Sequence, residues 1–350
     1  MEHVLTSRQE RSRALLAVMC LGVISCVLVG CGHTQGPRDP SHAGTQDLLS
    51  LLPADSEGVV MVDVRALLAA PFVPRLDAVF EPLLDERGRQ LRELLDRVDE
   101  VAIGFRYREV EGHGEPLLAI ARGRFTEADL DTFGRTHTAG EHRGHTLRSD
   151  DGMSLSLSGT HTLAFGGEAL VLAALDRMDG LSPATGPTRP VLLDAARRAQ
   201  LGQHTLTYAA ETSERFRGEF SEEFSARGAA VSVGAWVDIG SALNAHGFGL
   251  FSDDAMAMEV AEQLMGKLAE AANEPQLEEL GMLAVINAVH VQADGPTVNV
   301  DVSFDHETVE RIISIVLLGV QAGAAFSEPA EEPEQAQTDH RDDLSLDPSF

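Results

Sequence analysis

Lysine is all but missing from this chain of 350 residues: Lys267 stands alone among 27 basic residues, the rest being arginine. Cysteine is nearly as scarce, and its three copies, Cys20, Cys26 and Cys31, all fall at the N-terminal end. The remaining chain therefore cannot close an internal disulfide, build a C-x-x-C redox motif or supply a cysteine-bearing zinc site. Aromatic residues make up only 5% of the sequence, with one Trp and two Tyr, too few to lay out a sugar- or base-stacking platform. Catalytic signatures are missing too: no G-x-S-x-G elbow, no P-loop, no G-x-G-x-x-G and no H-E-x-x-H. Nothing implies a cofactor or names a catalytic residue, and the reading is of a protein without enzymatic activity.

What is abundant is negative charge. Against the 27 basic residues stand 55 acidic ones, a net charge of −28. Such a surface repels phosphate backbones and anionic headgroups, which argues against nucleic acid as a partner and against peripheral membrane docking. The arginine bias and the acidity fit a GC-rich genome or adaptation to salt, where screening relieves self-repulsion.

The most informative stretch is the N-terminal one. Arg8, Arg11 and Arg13 precede an apolar run from Ala14 to Val29, and Gly30 leads into Cys31. A basic head, a short apolar segment and a small residue at the cut describe a secretory signal. The run is shorter than the roughly 20 residues a spanning helix needs. Leu28-Val29-Gly30-Cys31 resembles the lipobox of bacterial lipoproteins. That resemblance implies cleavage between Gly30 and Cys31, acylation of Cys31 and attachment of the chain to the bilayer through its lipid. Gly32, rather than the Asp that retains many such proteins at the inner membrane, favours the periplasmic face of the outer membrane.

The chain then divides by composition. After the signal (1–30), residues 31–46 (Cys31 to Gln46) read as a lipidated cysteine and a Gly- and Pro-containing tether. Residues 47–182 form a first α+β half and 191–326 a second. Between them lies the Pro- and Gly-rich linker 183–190, and 327–350 is an acidic tail with no core-forming period.

Alternating strands grouped with helices, rather than strict βαβ units, predict an α+β fold with mostly antiparallel sheets. One pattern is read twice, as two related β-α-β-β-α units joined by a β-meander and helices. The first opens with the run Val59 to Leu67, in which Val62-Asp63-Val64 leads into Ala66-Leu67, and continues through alternating Val101, Ile103 and Phe105. The second opens with Val231 to Ile239 on period two, closes on Val237-Asp238-Ile239 and Ala242-Leu243, then gives a helix capped by Asp253-Asp254. Val298, Val300, Val302 and Phe304 follow, alternating on one face of a strand. Asp305 caps a closing helix that is apolar at Val309, Ile312, Ile313 and Val316 but too short to span a membrane. A helix with Phe216, Phe220 and Phe224 on one stripe reads as core.

Leu51-Leu52-Pro53-Ala54-Asp55 before Val59-Val60-Met61-Val62-Asp63, then Ala69-Ala70-Pro71-Phe72, is similar to the opening of a family of bacterial envelope proteins of unknown function. The resemblance implies a fold and a compartment, and nothing catalytic.

One cluster could carry chemistry: His137, His142 and His145, with Glu141 between them and Asp150-Asp151 following. Three imidazoles and a carboxylate are a zinc or copper ligand set. Gly140 and Gly144 inside the stretch leave its geometry unfixed, so solvated loop histidines are the simpler reading and no metal is assigned. Paired acids at Asp150-Asp151, Glu222-Glu223 and Asp253-Asp254 sit at turns or helix starts, where capping explains them. The sequence thus predicts a lipid-anchored envelope protein with a non-catalytic binding or structural role. Two alternatives stand beside it: a solute-binding or envelope-assembly lipoprotein with a hydrophobic pocket, and a metal-dependent enzyme built on the 137–145 histidines.

Overall fold

Among the residues the structure describes, twelve strands join edge to edge in one sheet, and every neighbouring pair is antiparallel. The structure is a computed structural model that describes residues 48–75, 86–106, 118–130, 138–150, 152–212, 230–275 and 283–315. The signal segment with Cys31, the 31–46 tether, His137, Asp151, the Phe216-Phe220-Phe224 stripe and the acidic tail lie outside those residues. The strands are β1 (Gly58–Asp63), β2 (Val98–Phe105), β3 (Leu118–Gly123), β4 (Thr138–His142), β5 (His145–Asp150) and β6 (Met153–Ser158). They continue with β7 (Thr162–Gly167), β8 (Leu206–Glu211), β9 (Ser232–Ile239), β10 (Leu243–Leu250), β11 (Val289–Asp294) and β12 (Thr297–Phe304). The order across the sheet is β11-β12-β10-β9-β8-β1-β2-β3-β7-β6-β5-β4. The mixed α+β, antiparallel architecture expected from the alternation is what the chain adopts.

Period-two alternation splits each strand between two faces. On the first face Val59, Met61, Ala102, Leu118, Ile120 and Ala164 are buried under three helices: α1 (48–51), α5 (Glu168–Met178) and α6 (Pro190–Arg198). Leu48, Leu52, Val171, Leu175, Leu192 and Ala195 supply the helical side of that core. The second face is covered in two patches. Over the first half lie α2 (Val64–Leu68), α3 (Glu86–Leu95) and α4 (Glu127–Leu130), which bring Val64, Leu68, Leu94 and Leu130 against Val98, Leu155 and Leu163. Over the second half lie α7 (Asp254–Ala272), α8 (Leu283–Asn287) and a helix at 306–315, whose Val309 and Ile313 pack on Leu243 and Phe304. None of the helices among the described residues is long and apolar enough to cross a membrane.

Helix starts follow local chemistry. The Asp63 carboxylate accepts from Ala66 N–H at 2.7 Å and Asp253 from Met256 N–H at 2.9 Å, satisfying donors that the first turn leaves free. Asp305 accepts from Thr308 N–H at 2.8 Å, and that hydrogen bond holds its carboxyl below the usual carboxylate range. At the start of α4 the Asp129 carboxylate reaches back to Thr126 N–H at 2.7 Å, the reciprocal half of a capping box.

The halves do share a strand order, but not with the equivalence read from the sequence. Counting outward from the central β1–β8 pair, one side runs β1-β2-β3-β7-β6 and the other β8-β9-β10-β12-β11. This matches β1 to β8 and β2 to β9, whereas the Val-Asp-hydrophobic echo matched β1 to β9. After Asp63 the chain turns into α2, because that carboxylate caps a helix. After Asp238 it reverses at 240–242 into β10, the counterpart of β3, because that carboxylate is engaged with His204 and Thr205 N–H instead. The first half in turn carries an extra hairpin, β4–β5, beyond β6.

The 183–190 stretch lies against the 48–54 segment. Gly186 N–H donates to Ser50 C=O at 3.1 Å, and Thr188 N–H donates to Ala54 C=O at 2.8 Å. Arg189 pairs with Glu211 at 2.7 Å, a hydrogen bond that raises its pKa above the ordinary arginine value.

Candidate functional site

The histidine cluster is built on the β4–β5 hairpin. Arg143 and Gly144, with φ of 51° and 88°, form a two-residue left-handed turn, and His142 and His145 face each other across it. Both rings reach the C-terminal end of α5 but meet different carboxylates there. His142 Nε2 lies 3.1 Å from Asp176 Oδ1, and His145 Nε2 lies 3.1 Å from both oxygens of Asp179. Arg143 adds a second contact to Asp176 at 3.1 Å. Each imidazole thus has its own partner, and the arrangement fastens the extra hairpin to the helix. Among the described residues no three His, Cys, Asp or Glu side chains converge to hold a metal ion. Of the adjacent acids weighed above, Asp253 caps α7 and Asp254 opens it.

A second constellation has no counterpart in the linear sequence. On the first face, Trp236 of β9 stands opposite His246 of β10, His246 opposite Asp301 of β12, and Asp301 opposite His290 of β11. His204, just before β8, stacks on the other side of the indole with centroids 4.2 Å apart and planes 8° apart. His246 lies 5.7 Å from the indole centroid at 27°. Each flanking imidazole has a carboxylate: His204 Nδ1 is 2.8 Å from Asp238 Oδ2, and His246 Nδ1 is 2.8 Å from Asp301 Oδ1. The chain's one tryptophan is therefore held between two histidines, each positioned by an aspartate. Around this row Asn244, His290, Gln292, Asp301 and Ser303 are exposed, so the first face is polar and open where α6 no longer covers it.

On the second face, between the two helical patches, the central strands carry half-buried apolar side chains: Val60, Ile103, Phe105, Tyr208 and Ala235. The Phe105 and Tyr208 rings stack here, 6.2 Å apart at 8°.

The Leu51-Leu52-Pro53-Ala54-Asp55 motif acquires a structural explanation. Leu52 is fully buried, Pro53 C=O accepts from Ser56 Oγ at 2.8 Å, Ala54 C=O accepts from Thr188, and Asp55 pairs with Arg106. Arg177 donates to Leu51 C=O at 3.0 Å beneath the same turn, and burial lowers its pKa.

No sequence-defined protein family matches the chain, and no curated protein is similar to it in sequence. Its fold is similar to that of TP0453, a Treponema protein. Crystal form III of TP0453 superposes with a TM-score of 0.51 at 11% identity, covering 81% of this chain and 99% of TP0453. Crystal forms IV and I give 0.49 and 0.43 at 10% identity, covering 79% and 77% of this chain and 100% and 96% of TP0453. The likeness is one of fold.

Proposed function

We propose that this chain is a lipid-anchored protein of the bacterial cell envelope, joined to the bilayer through acylated Cys31 and serving a non-catalytic binding or structural role. The observation that carries the reading is Leu28-Val29-Gly30-Cys31 at the end of a basic head and a short apolar run. The cysteine-free body supports it, since it needs no redox chemistry in an oxidising compartment. Gly32 favours the outer membrane, and the 31–46 tether holds the folded sheet off the bilayer. The shared strand order of the halves fits an internal duplication, with β4–β5 added to one copy.

The test is labelling of producing cells with a palmitate analogue. The wild-type chain takes up label and accumulates as an uncut precursor when the lipoprotein signal peptidase is inhibited, whereas Cys31→Ala does neither. An unlabelled wild-type chain overturns the anchor.

A hydrophobic-ligand role is the second reading, favoured by the half-buried stripe of Val60, Ile103, Phe105 and Tyr208 between the helical patches. A pocket of this kind binds by apolar area. Saturable binding of a fluorescent fatty acid, weakened by Phe105→Ser, supports it; no binding refutes it.

A further inference from the structure

The two halves differ at their outer ends, and the difference exposes an edge. In the first half the outer side of β6 is occupied by β5, whereas β11, its counterpart, ends the sheet among the described residues. The chain enters β11 from α8, a helix, so no local hairpin among the described residues lies on that side.

Natural sheets guard such an edge with lysine, proline, a bulge or an inward charge. β11 reads Val289-His290-Val291-Gln292-Ala293-Asp294 and has neither lysine nor proline. Its pairing to β12 runs without a shift from Val289–Val302 to Asp294–Thr297, and its core-facing residues are Val289, Val291 and Ala293. The two-residue turn Gly295-Pro296 makes Asp294–Thr297 the hydrogen-bonded closing pair. Alternation then turns the N–H and C=O groups of Val291 and Ala293 away from β12, towards the open side.

The helix above the edge carries a matching apolar flank. Met258 and Met265, seven residues apart on α7, are 58% and 46% exposed. β10 and β11 both run antiparallel to β12 and so parallel to each other, and the right-handed sense of the crossover through α7 turns the Met258 and Met265 flank towards β11 and the Met256 flank towards β9. On the methionine side, Asp254 lies 3.9 Å from where a Cβ on Gly295 would stand, at the β11–β12 turn. Met258 and Met265 therefore sit on the side of β11.

We infer that β11 and this flank of α7 form the interface of a homodimer, in which two copies pair β11 with β11 about a twofold axis. Antiparallel pairing centred on Val291 sets His290 opposite Gln292 of the second copy and Val289 opposite Ala293, with no like charges face to face. Strands are about 4.8 Å apart, and α7 rests over β11 and β12. The axis then brings the two α7 helices to roughly 10 Å, the spacing at which helices pack, and buries the methionines between them. A twofold contact of this kind closes on itself and leaves no edge at that end. The occupant is a second copy because one surface supplies both the strand and the apolar flank that such a pairing needs.

Equilibrium sedimentation of the full chain in density-matched detergent tests this. The wild-type chain is expected to dimerise. Since both copies are strongly acidic, raising the salt should tighten the association. Ala293→Pro removes an outward N–H at a position an edge strand tolerates, and Met258→Glu with Met265→Glu places charge on the exposed flank. Each should raise the dissociation constant at least about tenfold with an unchanged far-UV spectrum. If Ala293→Pro disturbs folding, the exposed-methionine variant decides alone. A wild-type chain that stays monomeric overturns the inference. So does a dimer that the methionine variant leaves intact or that salt weakens.

Discussion

A Cβ on Gly186 would stand 2.7 Å from the Leu49 carbonyl oxygen, and the φ of Gly186 is +63°. The contact is backbone to backbone, so no side-chain rotation relieves it. It seats the 183–190 stretch on the helix that opens the described chain. Gly186→Ala should destabilise the protein by about 2 kcal/mol or more, through clash and left-handed strain together. Urea unfolding followed by circular dichroism measures it, and a loss under 0.5 kcal/mol would show that the stretch is held elsewhere.

Trp236 reports on its own surroundings. Imidazoles stacked on an indole fix it in an asymmetric surrounding, and Trp236 has an imidazole on each side. The near-ultraviolet circular dichroism of this indole should therefore be strong in the folded chain. Replacing both His204 and His246 by Ala should weaken the band, and a band left unchanged would show that the indole is held by other contacts.

Adjacent leucines on α6 should behave oppositely. Leu192 is fully buried against the sheet and Leu193 is 42% exposed. Leu192→Ala should cost about 3 kcal/mol, the lost transfer energy plus the cavity, while Leu193→Ala stays within about 0.5 kcal/mol. Equal effects would contradict the helix orientation.

Asp305 gives a pH signature. Its folded pKa is lowered, chiefly by the Thr308 N–H, so its contribution is present above the unfolded carboxyl pKa and is lost as pH falls through the folded one. Asp305→Ala should therefore be less stable than wild type at pH 7, with the gap closing as pH falls below the ordinary carboxylate range. A gap that persists in acid would mean the side chain acts by packing instead.

Added zinc should leave the melting temperature unchanged, because His142 and His145 are engaged with separate aspartates. A zinc-dependent rise lost in His142→Ala would return the hairpin to the metal reading.

Much of the architecture was legible because it is local. Alternation marked β2, β9 and β12, Asp253 and Asp305 marked helix starts, and the absence of strict βαβ units pointed to antiparallel pairing. β10 was not legible: His246, Gly247 and Gly249 break its apolar alternation, and only pairing on both sides makes Leu243–Leu250 a strand. The strand order shared by the two sides of the sheet was not legible, since a three-residue echo cannot tell which strands occupy equivalent places in a sheet.

The sequence by itself determined the acidic, thiol-free character of the body and the basic-apolar-Gly-Cys layout of its N-terminus, because composition and local order do not depend on how the chain folds. Only the tertiary structure decided which carboxylate each histidine meets, which sides of Trp236 are covered, and which strand is left at the end of the sheet. Those relations join residues tens of positions apart in the chain, and their distances are set by sheet register and helix packing rather than by any neighbouring residue.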